Sequence, residues 1–292
     1  MSTRVIGLLH PGEMGAAVGQ CLTKAGHQVL WASEGRGSDT AARAQAGGLT
    51  DVRTARGVVA EAEVILSVCP PHAALDVAWI VHGFTGLYVD ANAIAPGTAR
   101  EVSQLITGNG GRYVDGGIIG GPPVTAGAAR LYLSGAEAPT IQELFAGTFL
   151  EARIVSGSAT AASAVKMAYA SWTKGSSALL LAARALAQAE GVEEALMAEW
   201  ALSQPQLPGK VTHAADAAVT KGWRWVGEME EIAASMAAAG LPDGFHQAAA
   251  EVYRRSPRRP TGQGGGTGSQ ATDVVLAALI GISPSDVAAR RP

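Results

Sequence analysis

Short apolar runs alternate with helical spacing through the first half of the chain, and only helical spacing follows. Residues 5–9, VIGLL, form a continuous apolar run of the kind found in a parallel strand covered on both faces. Residues 13–25 then carry Met14, Val18, Cys21 and Leu22 on one side of a helix, and Gly26 stops it. A second strand begins over residues 27–32. Further strands are predicted over 62–68, 86–90, 113–115, 130–134 and 153–155. Cys69-Pro70-Pro71 ends the third strand and starts a helix over 72–81, and Pro96 starts another that runs through residue 106. The alternation predicts an α/β domain with a parallel sheet of the Rossmann type over residues 1–157.

Residues 158–190 hold no proline and many good helix formers, so one long helix is predicted. Ser158 or Thr160 is placed to cap it and Gly191 to end it. Its apolar residues lie all round, the pattern of a helix buried on most sides. Helices follow over 193–204, 211–221, 223–239 and 245–255, with Pro205 and Pro208 read as a break and Gly240 as a stop. Met229, Ile232, Ala233 and Met236 recur at helical spacing and read as core or interface. Residues 256–270, rich in Pro, Gly, Thr and Arg, read as a flexible linker, and 271–280 as an apolar helix that docks back or onto a partner subunit. Residues 158–292 therefore form an inter-domain helix followed by an all-α domain.

Composition narrows the field. At 48% hydrophobic residues the chain can bury a core, and a net charge of -3 provides no basic surface for nucleic acid. Cys21 and Cys69 sit in apolar contexts without metal-ligand spacing, so reduced thiols and no metal are expected. With no apolar run long enough to cross a bilayer and no signal core after the first residues, the expectation is a cytoplasmic protein without membrane contact.

The candidate chemistry begins at the first strand–helix junction. Gly12 and Gly15 allow a tight turn at a helix N-terminus, where free N–H groups and the helix dipole favour phosphate. His10 stands at the first position of G-x-G-x-x-G, so the turn also suits another kind of α/β domain. After the second strand, Glu34 would bond an adenosine ribose, whereas Arg36 between Ser33 and Ser38 would hold a 2′-phosphate. Ligands bind at the carboxyl ends of parallel strands, and that rule puts Gly12, Ser33, Cys69, Pro70, Asn92, Gly120 and Gly121 on one edge. The glycines of 116–121 read as a sharp turn or as a close approach of the backbone to a ligand. Lys166 and Lys174 lie in the long apolar helix, an unusual place for lysine unless it is paired or functional.

Taken in order, Met14-Gly15, the proline after Cys69, Asp90 with Asn92 and Pro96, Gly120-Gly121, and Lys166 resemble the β-hydroxyacid dehydrogenases. That superfamily holds the 6-phosphogluconate and 3-hydroxyisobutyrate dehydrogenases and the imine reductases. The resemblance covers the chain to about residue 191; residues 223–253 resemble a subgroup whose C-terminal domain has no settled function. It implies hydride transfer between a nicotinamide cofactor and a small carbonyl or hydroxy compound, with Lys166 as general acid and base and Tyr169 and Asn92 assisting. The cofactor would be held by His10, Pro11, Gly12, Glu13, Met14, Ser33, Glu34, Arg36, Val68, Cys69, Pro70 and Asn92. Gly120, Gly121 and Lys174 would meet a small-molecule substrate. NADP(H) is the preferred cofactor on this reading and NAD(H) the other possibility. A homodimer joined through the helical region is expected.

Four positions depart from the family pattern. His10 replaces its first glycine, and Glu34 falls where its arginine would, with Arg36 two residues on. Ile119 replaces the serine of Ser-Gly-Gly, and Ala170 replaces the asparagine four residues after the lysine. Imine reduction on the same fold and a non-catalytic nucleotide-binding regulator therefore stay open beside the dehydrogenase.

Overall fold

The computed structural model describes residues 3–259 and 268–282, and the chain divides into two compact units, residues 1–168 and 169–292. In the first unit, β1 (Val5–Leu9), β2 (Gln28–Trp31), β3 (Thr50–Asp51), β4 (Val64–Ser67), β5 (Leu87–Asp90) and β6 (Arg112–Gly120) run parallel. β7 (Ala129–Ser134) turns back antiparallel to β6, and β8 (Leu150–Ile154) lies parallel to β7. Among the described residues they form one sheet ordered β3-β2-β1-β4-β5-β6-β7-β8. The order reverses between β1 and β4, and such a switch point opens a crevice at the strand ends.

Alternation along each central strand sends residues to two cores. Ile6, Leu8, Val64, Leu66 and Val89 join Val18 and Leu22 of α1 (Glu13–Lys24) on one face. Ile65 and Tyr88 join Val77 of α4 (Ala74–Ile80) and Val102 and Ile106 of α5 (Pro96–Gly108) on the other. Each such aliphatic side chain contributes about 1.5–3 kcal/mol on burial, so the crevice rests on a rigid frame. Three elements between β2 and β4 were not expected from sequence: α2 (Ser38–Ala46), β3, and α3 (Ala55–Glu61). α6 (Ala138–Leu144) is another.

β6 corrects the glycine cluster. Gly116, Gly117 and Gly120 lie within a nine-residue strand and make no turn. A Cβ on Gly116 would stand 2.8 Å from the Asp90 carbonyl oxygen, and one on Gly117 2.9 Å from Lys166 Cβ. Those glycines let neighbouring elements pack close.

The predicted long helix is α7 (Ala161–Ala189), which runs from the first unit into the second. Gly191 follows it with φ +71°, and the Val192 N–H donates to the Ala187 carbonyl, a left-handed stop that glycine supplies. The helix is not buried all round. Trp172, Leu179 and Leu186 are 75%, 68% and 63% exposed and recur every seven residues, which puts them on one face.

The second unit continues with α8 (Glu193–Ser203), α9 (Leu207–Ala238), α10 (Gly244–Arg255) and α11 (Gly268–Ile280). The two helices expected over 211–239 are one. Pro208 sits in the first turn of α9, where its missing N–H breaks nothing, and Gly222 continues the helix while packing on Tyr253. Met229, Ile232 and Ala233 are core, as their spacing implied. α11 starts at Gly268, and its Val275, Leu276 and Ala277 are buried as it packs on α9 and α10. Of the predicted linker, residues 260–267 lie outside the described residues. Among the described residues no helix is long and apolar enough to cross a membrane.

Candidate functional site

The turn after β1 is built around a histidine in a glycine's conformation. His10 has φ +69°, the left-handed region that costs a side chain roughly 1–2 kcal/mol. Its carbonyl oxygen accepts the Gly12 N–H at 2.8 Å, and the Gly12 carbonyl accepts the Ala16 N–H at 2.9 Å to start α1. A Cβ on Gly15 would lie 2.3 Å from the His10 carbonyl oxygen and 3.6 Å from Val68 Cβ. Only glycine fits there, and it brings the helix start against the ends of β1 and β4. Glu13 and Met14 stand in the first turn of α1, and the Pro11 carbonyl accepts from Arg43 Nε at 3.5 Å.

The loop after β2 leans back over this turn. An Arg36 Nη lies 2.5 Å from His10 Nε2. A guanidinium only donates, so Nε2 accepts and the ring is neutral with its proton on Nδ1. Burial, and then the charge of Arg36, push the His10 pKa down to about 4. The Nδ1 atom is buried without a hydrogen-bond partner among the described residues. Ser33 is held by its N–H donating to Asp51 Oδ1 at 3.2 Å, and the same oxygen accepts the Arg53 N–H at 2.8 Å. Glu34 is exposed, with its N–H on the Arg53 carbonyl. Asp51 carried no signal in the sequence; it sits at the end of the two-residue β3 and reaches Ser33 only through the fold.

At the ends of β4 and β5, Asn92 is 2% exposed and fully engaged. Its Oδ1 accepts the Cys69 N–H at 2.6 Å, its Nδ2 donates to Ser67 Oγ at 3.1 Å, and its own N–H donates to Asp90 Oδ1 at 3.0 Å. The amide thus braces two strands and fixes where Val68, Cys69 and Pro70 leave the sheet. Burial, and then the negative Asp90, push the Cys69 thiol up to about 12, so it stays protonated and is a poor nucleophile.

Asp115 is the residue that local pattern could not reveal. It is wholly buried on β6, and its carboxylate accepts the Ser163 N–H at 2.8 Å, Ser163 Oγ at 2.5 Å and Ser134 Oγ at 3.0 Å. Ser134 Oγ also accepts the Ala162 N–H at 3.0 Å. A strand carboxylate and a strand hydroxyl therefore cap the start of α7. Burial raises the Asp115 pKa, and the hydrogen bonds from Ser163 and Ser134 oppose that rise. One turn on, Lys166 is partly buried and crosses β6 at Gly117.

The structure brings His10, Gly12, Met14, Ser33, Arg36, Val68, Cys69, Pro70 and Asn92 to the carboxyl ends of β1, β2, β4 and β5. Gly120 and Gly121 stand at the carboxyl end of β6, further out along that edge. Asp90 and Asp115 are level in register, and β6 continues five residues to Gly120, about 16 Å further along the strand. Gly120 has φ +121°, and a Cβ there would lie 2.1 Å from the Ala128 carbonyl oxygen. Ile119 is 3% exposed and brings no polar group. Tyr169 and Lys174 belong to the second unit. Tyr169 is half exposed; Lys174 pairs with Glu228, lies over the Trp225 ring at 5.2 Å, and gives its carbonyl to Tyr253 Oη at 2.7 Å.

Residues 4–146 match the family model described as the NAD binding domain of 6-phosphogluconate dehydrogenase, and residues 187–256 match a domain of unknown function, DUF1932. A probable 3-hydroxyisobutyrate dehydrogenase of Mycobacterium tuberculosis is 31% identical over 146 residues, 47% of this chain and 47% of that protein. The chain thus spans about half the length of the curated relatives it matches. Among solved structures, a conserved hypothetical protein from Sinorhizobium meliloti 1021 is 21% identical with a TM-score of 0.69, covering 95% of this chain and 97% of that one. A reductive aminase from Aspergillus terreus, solved with NADPH and ethyl-5-oxohexanoate, is 20% identical with a TM-score of 0.55, covering 87% and 94%. Both structural likenesses are of fold.

Proposed function

We propose that this chain, whose residues 4–146 form an NAD-binding domain of the 6-phosphogluconate dehydrogenase type, is an NAD(P)-dependent oxidoreductase acting on a small carbonyl or hydroxy compound. The observation that carries this reading is the turn at the β1/β4 switch point. Gly15 leaves no room for a Cβ, and the start of α1 is bared beside it, which fits a pyrophosphate resting on backbone N–H groups. The probable 3-hydroxyisobutyrate dehydrogenases among the relatives support the hydroxyacid class.

A nicotinamide dinucleotide bound there supplies or accepts the hydride. The chain's own part is to position the reactants and move the proton. Lys166, fixed at the Gly117 crossing by the cap that Asp115 places on α7, donates a proton to the substrate oxygen during reduction and takes it back during oxidation. Asn92 serves by fixing the end of β5, because its amide is spent on Ser67 and Cys69. Arg36, beside Ser33, favours a 2′-phosphate and hence NADP(H) over NAD(H).

Imine reduction is the second reading, and one observation favours it. Ile119 is buried and apolar where a substrate hydroxyl would need a donor. The fold likeness to a reductive aminase accords with it.

The test follows NADPH and NADH absorbance with panels of small keto acids, hydroxy acids and cyclic imines. Turnover of the acids supports the dehydrogenase and turnover of imines alone the second reading. Cofactor binding without any turnover would leave a regulator. Lys166→Ala is expected to bind cofactor as the wild type does and to lose roughly 100-fold or more in kcat; wild-type kcat would remove Lys166 from the mechanism.

A further inference from the structure

His10 carries two costs and has one polar partner among the described residues for its side chain. Its backbone is left-handed, a conformation glycine adopts freely. Its tautomer leaves a buried Nδ1–H without an acceptor among the described residues. Against these stands the contact of Nε2 with the Arg36 guanidinium. Strained positions that persist cluster where the side chain has a task.

That task is legible in Arg36. The residue lies between Gly35, with φ +70°, and Gly37, in an exposed loop that would let a long side chain sample many rotamers. His10 reaches across from the neighbouring strand end and fixes it. The guanidinium then lies over the turn after β1 and near enough to Cys69, at the end of β4, for its charge to act on that thiol. A cation so placed stands at the carboxyl edge of the sheet beside the start of α1, and the neutral imidazole that holds it adds no competing charge.

We propose that His10 is a specificity-determining residue for the cofactor. By holding Arg36 in place, it completes a receptor for the phosphate monoester on the adenosine ribose and so favours NADP(H) over NAD(H). The inference rests on the reading of this chain as an NAD(P)-dependent enzyme. Pre-ordering one long side chain strengthens binding by roughly tenfold.

The experiment measures Kd for NADPH and for NADH, by quenching of protein fluorescence, in the wild type, His10→Gly, His10→Asn, Arg36→Ala and the His10→Gly/Arg36→Ala double variant. Glycine suits the left-handed backbone, so His10→Gly keeps the turn. It is expected to weaken NADPH about tenfold and to leave NADH within about twofold. His10→Asn, which keeps an acceptor for Arg36 and tolerates the same φ, recovers part of the loss. Arg36→Ala loses the NADPH preference at least as far, and the double variant loses no more than Arg36→Ala alone. If His10→Gly weakens both cofactors equally, or neither, His10 serves the turn and not the phosphate, and the proposal falls while the cofactor reading stands. A wild type that prefers NADH overturns the proposal and leaves the cofactor reading standing, whereas one that binds neither dinucleotide overturns both.

Discussion

Asp115 on β6 and Ser163 in the first turn of α7 stand 48 residues apart in sequence, yet two hydrogen bonds join them: Oδ2 takes the Ser163 N–H and Oδ1 the Ser163 hydroxyl. A helix start leaves N–H groups without partners, and here a buried carboxylate from another element meets that need. Asp115→Ala removes the acceptor and leaves Ser163 and Ser134 donors buried. Its expected cost is about 3 kcal/mol, and Ser163→Ala, which keeps the N–H bond, costs about 1 kcal/mol. Thermal unfolding of the two variants checks the ratio. Equal and small losses would mean that α7 is held by packing alone.

Gly15 links the turn to cofactor affinity. A Cβ there would meet the His10 carbonyl oxygen at 2.3 Å, and backbone cannot yield as a flexible side chain does. Gly15→Ala must push α1 away from the end of β1, which carries its free N–H groups off the pyrophosphate position. We expect Kd for both NADPH and NADH to rise by at least tenfold, with far-UV circular dichroism unchanged. Gly227→Ala, in α9 of the second unit, is the control, because a Cβ there also meets nothing within 4 Å and the residue lies outside the turn. Similar affinities in the two variants would refute this account of the turn.

The longer strands were readable because buried parallel strands announce themselves as unbroken apolar runs, as residues 5–9 and 64–67 do; their order in the sheet was not. Short elements were not. β3 is two residues, Thr50–Asp51, and α3 seven, too little chain for a period to show. Glycine gives one signal for two structures: Gly116 and Gly117 look like a turn in sequence and are a crossing point in the fold. The helices expected over 211–221 and 223–239 run through Gly222 as one, α9. At the site, the positions next to strand ends were legible, since their place follows from the sheet. The partners that reach them from afar, Asp51 for Ser33 and Asp115 for α7, were not, because no local spacing encodes a contact between distant strands. The His10–Arg36 contact is of the same kind; each residue was visible, and their meeting was not.

α7 presents Trp172, Leu179 and Leu186 on one face at intervals of seven residues, all largely exposed. A groove of about 580 Å³ runs beside the first two, lined by Trp172 and Leu179 together with Trp200 of α8 and Leu207 of α9. We infer that this face packs on a second copy of the chain, since an isolated apolar stripe of three large side chains in water is costly to maintain. Light scattering should give twice the chain mass of 29.6 kDa at micromolar concentration. Leu179→Glu places a charge at the centre of the stripe and is expected to shift the mass toward the monomer by weakening association at least 100-fold. A wild-type monomer, or a Leu179→Glu dimer of unchanged stability, would assign the stripe to something else.

Acid should find His10 before it finds most of the fold. Its folded pKa is about 4, depressed by burial and then by Arg36, whereas an unfolded histidine titrates near 6.5. Between those values the unfolded chain binds a proton that the folded chain refuses, so acidification favours unfolding. The contribution is fully present above about pH 6.5 and is lost as pH falls toward about 4. His10→Asn keeps an acceptor for Arg36 but cannot titrate there. The drop in Tm from pH 7.5 to pH 5 is therefore expected to be smaller in His10→Asn than in the wild type by roughly 2 °C, the carboxylates being common to both. Measured by differential scanning calorimetry in one buffer series, an equal drop in the two proteins would show that His10 titrates alike in the folded and unfolded chain, and that burial and Arg36 do not depress it.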